Sequence, residues 1–188
     1  TGDIVDEDHD SISSVEDLLK GIKDLAPIYF VTGNHELTSL AATQYQELLA
    51  LFQKYGVTDL DNDSVKLKKG GQSITLYGRQ YFSQYLTDSL PIASDKDFDI
   101  LLYHGSDNFK EIAPYHYDLI LSGHAHGGIV RLPIWGGIFG NDGTFFPEYA
   151  GGEYTIGDAT LISSRGLGDA SIPRFNNPPE LVVIKLNP

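Results

Sequence analysis

The chain has 188 residues, a length typical of one domain with a hydrophobic core of ordinary size. Its 13 basic and 26 acidic side chains give a formal net charge of −13, and no segment supplies the basic stripe that a polynucleotide-binding surface needs, so we expect no nucleic-acid partner. The absence of cysteine excludes disulfide scaffolds, cysteine–zinc sites and thiol chemistry, and no apolar run is long enough to cross a bilayer.

Short apolar runs alternate with amphipathic helical patterns in the first part of the chain. Apolar side chains at helical spacing predict helices over 13–25 and 40–55, and an apolar run predicts a buried strand over 27–32. Two further buried strands are predicted over 99–103 and 117–122, with a short helical stretch between them. This alternation predicts a layered α/β domain.

Hairpin patterns accompany these strands. We predict hairpins over 64–77 and 153–163, because turn-forming glycines separate two strand-like runs in each. A last apolar run over 181–186 predicts a closing strand. The segment 127–152 is rich in glycine, proline and aromatic residues and predicts a long loop, whose aromatic side chains either fold back onto the core or carry function.

Side chains that can bind a metal follow each predicted buried strand. They lie in Gly2-Asp3-Ile4-Val5-Asp6 at the start of the chain, Gly33-Asn34-His35-Glu36, His104-Gly105 and Gly123-His124-Ala125-His126. Because the carboxyl ends of strands line one crevice in open α/β sheets, we expect these groups to converge. Imidazoles, an amide oxygen and a carboxylate suit Mn, Fe or Zn better than Ca or Mg alone.

The order of these motifs resembles the calcineurin-like metallophosphoesterase superfamily. The stretches 127–133, 164–168 and 177–181 are similar to its branch of small bacterial phosphohydrolases, which often work at membrane surfaces. The resemblance implies a four-layer α/β/β/α sandwich, formed as a single domain over 1–188, with a binuclear metal site. It predicts a metal-dependent phosphoesterase that hydrolyses small or lipid-linked phosphate esters or pyrophosphates with two divalent ions, Mn, Fe or Zn.

The resemblance also implies a role for each candidate residue. Asp3 would bridge both metals, and the remaining ligands would be Asn34, His104 and His124 on one metal and His126 on the other. His124 and His126 would project to the same side, as residues two apart do in an extended segment. His35 would be the general acid beside the leaving group, oriented by Asp6.

The superfamily's first motif, Asp-x-His at the end of an initial strand, is missing here. The chain begins with Thr1 and contains no methionine, so we expect an N-terminally truncated fold that lacks the first strand and helix. One metal would then keep only Asp3 and His126, where about four ligands are usual. An uncovered sheet edge would favour self-association of the fragment. The alternative function is therefore a catalytically inactive phosphoesterase-fold module that acts in protein–protein contacts.

Two predictions concern the substrate and its surroundings. The guanidinium of Arg165 could contact a phosphate oxygen, although an ion pair with one of the 26 acids fits the sequence equally well. The aromatic segment 132–149 is a candidate for gripping an apolar substrate tail or a membrane interface. We accordingly expect the protein in the cytoplasm or at the periphery of a membrane.

Overall fold

The computed structural model describes residues 1–6, 12–81, 90–94, 97–140, 143–168 and 173–187. The helices of these ranges are α1 (Ile12–Ile22), α2 (Asn34–Thr38), α3 (Ala42–Tyr55) and α4 (Phe109–Ile112), with 3₁₀ turns at Ser106–Asn108 and Ala113–Tyr115. The strands are β1 (Ile28–Phe30), β2 (Val57–Asp59), β3 (Ser64–Lys69), β4 (Gln72–Arg79), β5 (Phe98–Gly105), β6 (Leu119–Gly123), β7 (Val130–Leu132), β8 (Gly136–Phe139), β9 (Gly152–Ile156) and β10 (Ala159–Ser163). None of these helices is long and apolar enough to serve as a membrane span.

A six-stranded sheet in the order β3-β4-β5-β6-β10-β9 forms the centre of the fold. Strands β4, β5, β6 and β10 run parallel, whereas β3 and β9 pair with their neighbours in antiparallel fashion at the two edges. Strands β1 and β2 form a separate parallel pair. The mixed α/β class predicted from the sequence is confirmed, and the carboxyl ends of the parallel strands lie at one edge of the sheet.

Strand β5 shows why the central strands are continuously apolar. Leu101 and Tyr103 belong to one buried cluster, which includes residues of α4, whereas Ile100 and Leu102 belong to a second cluster on the other face. Because successive side chains of a strand point to opposite faces, both faces of β5 are buried. A third cluster joins α1 and α3 to β1, and its buried members are Val5, Val15, Leu19, Phe30, Leu48 and Phe52.

The closing strand predicted over 181–186 is wrong. Leu181 and Val183 are 77% and 86% exposed, and the segment 181–186 does not form a strand. It lines a shallow pocket together with Gly152 and Glu153 of β9, but it forms no ladder with that strand in the described part of the chain. An apolar run becomes a strand only where a neighbour offers hydrogen bonds, and the local pattern carries no information on that neighbour.

The long loop predicted over 127–152 contains regular structure. Strands β7 and β8 pair there as a short antiparallel hairpin, with residues 141–142 outside the described ranges. Of its aromatic residues, Tyr149 is buried in the core, as one of the two predictions expects, whereas Trp135 and Phe145 are exposed, and a function for them stays a prediction. Both predicted hairpins, over 64–77 and 153–163, are confirmed, while the predicted helices differ by a few residues at their ends.

Candidate metal centre

Four of the candidate side chains meet where the parallel strands end. His104 lies near the end of β5, His124 follows β6, Asn34 begins α2 just after β1, and Asp3 approaches from the first described segment. One ligand atom each from Asp3, His104 and His124 lies within 4.8 Å of the other two. The expected convergence of these strand ends is therefore found, although the residues are up to 121 positions apart, from 3 to 124.

The tautomer of His104 follows from its hydrogen bond. The ring is 2% exposed, and its Nδ1 lies 2.7 Å from the carbonyl oxygen of Thr1. A carbonyl oxygen only accepts, so Nδ1 carries a hydrogen, and Nε2 is the nitrogen that faces Asp3; Nε2 offers a lone pair to a metal when the ring is neutral and a hydrogen to Asp3 when the ring is protonated. A backbone carbonyl that fixes one ring nitrogen in this way is a common support for a metal-binding histidine.

Three other atoms that can bind a metal lie close to Nε2 of His104. The Oδ2 atom of Asp3 lies 2.9 Å from it, the Oδ1 atom of Asn34 3.1 Å and the Nδ1 atom of His124 3.2 Å. Lone pairs that converge in a largely buried site repel one another unless a cation or a proton lies between them. The donor set and its crowding fit a divalent transition metal.

The electrostatics of Asp3 are set by its histidine neighbours. Burial alone would raise the pKa of this carboxyl, but the hydrogen bond and charge of His104, together with the backbone N–H of His35, bring it below its usual value. That N–H donates to Oδ1 of Asp3 over 2.9 Å. The carboxylate is thus held ionised with Oδ2 facing His104, which is the state that a metal ligand needs.

The segment that carries His124 and His126 is a turn, and the extended geometry predicted for it is wrong. Both residues have left-handed backbone angles, with φ of 67° and 49°. The Ala125 N–H donates to the Gly123 carbonyl and the Gly128 N–H to the Ala125 carbonyl, each over 2.8 Å. Strand β6 ends at Gly123, so alternation along a strand does not determine where these imidazoles lie.

His126 stands apart from the cluster of Asp3, His104 and His124. Its Nδ1 is buried and has no hydrogen-bond partner among the described residues, while its carbonyl oxygen accepts from Nδ2 of Asn177 over 2.6 Å. Burial lowers the pKa of His126, and the charge of Arg174 lowers it further, so the ring is kept neutral. A neutral, buried imidazole with an unused nitrogen is suited to bind a metal.

His35 and Asp6 lie on the other side of Asp3. The Nε2 atom of His35 is 3.8 Å from Oδ2 of Asp3, and its Nδ1 atom is 3.9 Å from Oδ1 of Asp6. Both separations exceed hydrogen-bond distance, so these contacts are electrostatic. The structure therefore brings Asp6 next to His35 without a hydrogen bond between them.

Two features of this centre escape the sequence analysis. Glu36 is buried, although no role was predicted for it. It accepts hydrogen bonds from the backbone N–H groups of Asp3 and Gly33, which lie on the two loops that carry Asp3 and Asn34. Gly2 and Gly33 pack backbone against backbone, because a Cβ on Gly2 would lie 2.5 Å from the Gly33 nitrogen. The sequence signal for a role of Glu36 was its position directly after Asn34 and His35. An acid that is buried next to candidate ligands must accept hydrogen bonds from groups nearby.

Arg165 pairs with Glu180 instead of pointing an unpaired guanidinium at the cluster. Its backbone N–H donates to Oε1 of Glu180 over 2.9 Å, and its Nη2 donates to Oε2. The side chain nevertheless lies against the metal-centre turn, because a Cβ on Gly127 would lie 2.7 Å from its Cγ. The sequence allowed either a phosphate contact or an ion pair for Arg165. The ion pair with Glu180 is present, and contact with a phosphate stays a prediction.

Comparison with known proteins adds the family. The model of the family described as calcineurin-like phosphoesterase matches residues 1–128. The chain is 29% identical to the metallophosphoesterase YkuE of Bacillus subtilis, over 99% of this chain and 66% of that protein, and 24% identical to the phosphodiesterase YaeI of Escherichia coli, over 94% and 64%.

A shorter match concerns the UDP-2,3-diacylglucosamine pyrophosphatase LpxG of Chlamydia trachomatis, with 33% identity over 46% of this chain and 28% of that protein. No solved structure matches the chain significantly. The chain spans about two thirds of the length of YkuE and YaeI, at 66% and 64%. The matched region contains every candidate ligand described above, and the chain belongs to the calcineurin-like phosphoesterase family.

Proposed function

We propose that the chain forms a single domain of a metal-dependent phosphoesterase that hydrolyses small or lipid-linked phosphate esters or pyrophosphates. The observation that carries the proposal is the convergence of lone-pair donors on Nε2 of His104, at separations of 2.9 to 3.2 Å. A four-layer α/β/β/α arrangement is part of the proposal. It is supported by the three apolar clusters, which lie between α1 or α3 and β1, between β1 and the central sheet, and between that sheet and α4.

Two divalent ions, Mn, Fe or Zn, are the proposed cofactors. The proposed ligands of one ion are Asp3, Asn34, His104 and His124, and Asp3 with His126 would hold the second. The unused, buried Nδ1 of His126 supports this division. When bound, the pair of ions would acidify a shared water and neutralise charge on the phosphoryl oxygens.

His35 is the proposed general acid. Its Nε2 lies on the side of Asp3 and its Nδ1 on the side of Asp6, at 3.8 and 3.9 Å from the respective carboxylate oxygens. Because Nδ1 faces Asp6, Nε2 is the ring nitrogen that faces the metal centre, and in the proposed reaction it donates a proton to the leaving oxygen.

The direct test uses the protein freed of metal by a chelator and reloaded with Mn, Fe or Zn. We expect hydrolysis of p-nitrophenyl phosphate, bis(p-nitrophenyl) phosphate or a nucleoside pyrophosphate that is lost on chelation and restored by at least one metal. Full metal occupancy without hydrolysis of any ester in this panel would favour the alternative, an inactive phosphoesterase-fold module that binds other proteins.

An apolar ridge built on strands β7 and β8, which follow the His124–His126 turn in the chain, favours lipid-linked substrates. Phe175 pairs with Val130, Val130 with Phe139, and Phe139 with Phe145, as direct neighbours across adjacent backbone segments. Directly paired residues share one face of a sheet, so the four side chains form a row, and the rings of Phe139 and Phe145 lie 5.4 Å apart. The relative LpxG, whose name gives a diacylated substrate, supports the same class.

The tip of the β7–β8 hairpin adds two exposed apolar side chains. Ile134 is fully exposed and Trp135 is 70% exposed, and Ile134 has a φ of 74°. A β-branched residue rarely adopts this backbone conformation, and such strain persists mainly where function uses it. We propose that the segment 132–149 contacts the acyl part of the substrate or a membrane surface. Self-association and a cytoplasmic or peripheral location remain predictions.

Replacing Trp135 by alanine should weaken activity on a lipid-linked phosphate selectively. We expect kcat/KM to fall about tenfold for a lipid-linked substrate, in line with the loss of one buried aromatic contact, and to stay within twofold for p-nitrophenyl phosphate. Leu25→Ala is the matched control, since Leu25 is 78% exposed and lies after α1. An equal loss on both substrates would assign Trp135 to packing of the hairpin.

A further inference from the structure

Among the acids of the described residues around the candidate metal centre, Glu36 accepts the most hydrogen bonds. It is 2% exposed, and its carboxylate accepts from four backbone N–H groups. Gly33 donates over 2.7 Å on one side, and on the other Asp3, Ile4 and Val5 donate over 2.8, 2.7 and 3.3 Å. Glu36 thus contacts the backbone of both loops that carry the first candidate ligands.

The three consecutive donors at residues 3–5 form a concave anion site made of backbone. Left-handed angles at Gly2 and Asp3, with φ of 75° and 53°, turn this segment so that its N–H groups converge. Bonds from N–H groups to a full carboxylate are stronger than neutral ones, and the buried charge of Glu36 is balanced by them. An amide at this position could not accept from all four donors, because its nitrogen only donates.

A second hydrogen bond joins the same two loops, with the carboxylate now on the first loop and the backbone N–H on the second. The carboxylate of Asp3 accepts from the backbone N–H of His35 over 2.9 Å, so each loop offers a carboxylate to the backbone of the other. A Cβ on Gly33 would lie 2.6 Å from the Asp3 nitrogen, so the two backbones are in direct contact. The separation between Asp3 and Asn34 therefore depends on this reciprocal arrangement.

We propose that Glu36 is a positioning residue that sets the affinity of the metal centre by holding Asp3 at a fixed distance from Asn34. The inference rests on the proposed function, since it requires that Asp3 and Asn34 bind a metal. Glu36 touches neither the reacting atoms nor a ligand side chain, and acts only through the backbone of the two loops. Partners that orient metal ligands in this way typically contribute 10- to 100-fold to metal affinity.

The test compares Mn²⁺ binding by metal-free wild-type protein and Glu36→Gln, measured by isothermal titration calorimetry. We expect the Kd for Mn²⁺ to rise by about 10- to 100-fold in the variant. Glu16→Gln is the matched control. Glu16 also has hydrogen-bond partners, Lys54 and Tyr55 at 2.7 and 2.8 Å, but it lies on α1 away from the ligands, so its Kd should stay within twofold.

A second readout separates positioning from simple stability. The rise in Tm on adding Mn²⁺ reports binding to the folded state, so it should shrink in Glu36→Gln beyond any fall in the Tm of the metal-free protein. If Glu36→Gln does not fold, Glu36→Asp keeps the charge with a shorter reach and should show a smaller loss of affinity in the same direction. Unchanged Mn²⁺ affinity in the folded variant would overturn the role of Glu36 alone, whereas wild-type protein that binds none of Mn²⁺, Fe²⁺ and Zn²⁺ would overturn the proposed function as well.

Discussion

Replacing His35 by alanine is expected to lower kcat by about 10²- to 10⁴-fold while metal content stays at the wild-type level. The reason is the location of the ring, whose closest carboxylate contacts to Asp3 and Asp6 are 3.8 and 3.9 Å. These contacts place His35 beside the ligand cluster without making it a member. Steady-state kinetics and metal analysis of the same preparations provide the two measurements.

The leaving group supplies the control for this prediction. A p-nitrophenolate leaves readily without a proton, whereas an alkoxide needs one, so the defect of His35→Ala should shrink on the aryl ester and be full on an alkyl ester. A defect of equal size on both esters would show that His35 is not the proton donor. Loss of metal in His35→Ala would instead make it a ligand.

Replacing His104 by alanine is expected to remove at least one equivalent of metal and to reduce hydrolysis to background. His104 is the residue on which the site converges, with Asp3, Asn34 and His124 at 2.9 to 3.2 Å from its Nε2. Its loss takes away one ligand and the carbonyl-oriented ring that fixes the geometry of the others. Inductively coupled plasma mass spectrometry of the purified variant measures the metal.

His116 provides the matched histidine for that experiment. It is exposed and follows the 3₁₀ turn Ala113–Tyr115, with a φ of 65°, and it does not belong to the ligand cluster. His116→Ala should therefore retain wild-type metal content and activity. Full occupancy in His104→Ala, with activity to match, would remove this residue from the metal centre.

The parts of the fold that depend on local pattern could be predicted from the sequence. The continuous apolar runs of β5 and β6 predict strands buried on both faces, and two separate clusters cover the two faces of β5. Placing His104 and His124 at the ends of those strands needed only the rule that parallel strands share a carboxyl edge. These inferences use periodicity and order along the chain, both of which are properties of the sequence.

The parts that depend on distant partners could not be predicted. The apolar run 181–186 has the pattern of a strand but no neighbour with which it forms a ladder in the described ranges. The turn at His124 and His126 results from left-handed backbone angles at non-glycine residues, which local preference disfavours. Three of the four backbone donors to Glu36 lie 31 to 33 positions away in the sequence, so only the folded chain brings them together.

The most direct measurement is the location of bound Mn²⁺ in crystals of the metal-loaded protein, by anomalous diffraction. We predict a strong anomalous peak within coordination distance of Asp3, Asn34, His104 and His124, with a second ion on the side of His126. An ion bound elsewhere on the protein, or fully loaded crystals in which these side chains make no bond to metal, would contradict the proposed centre.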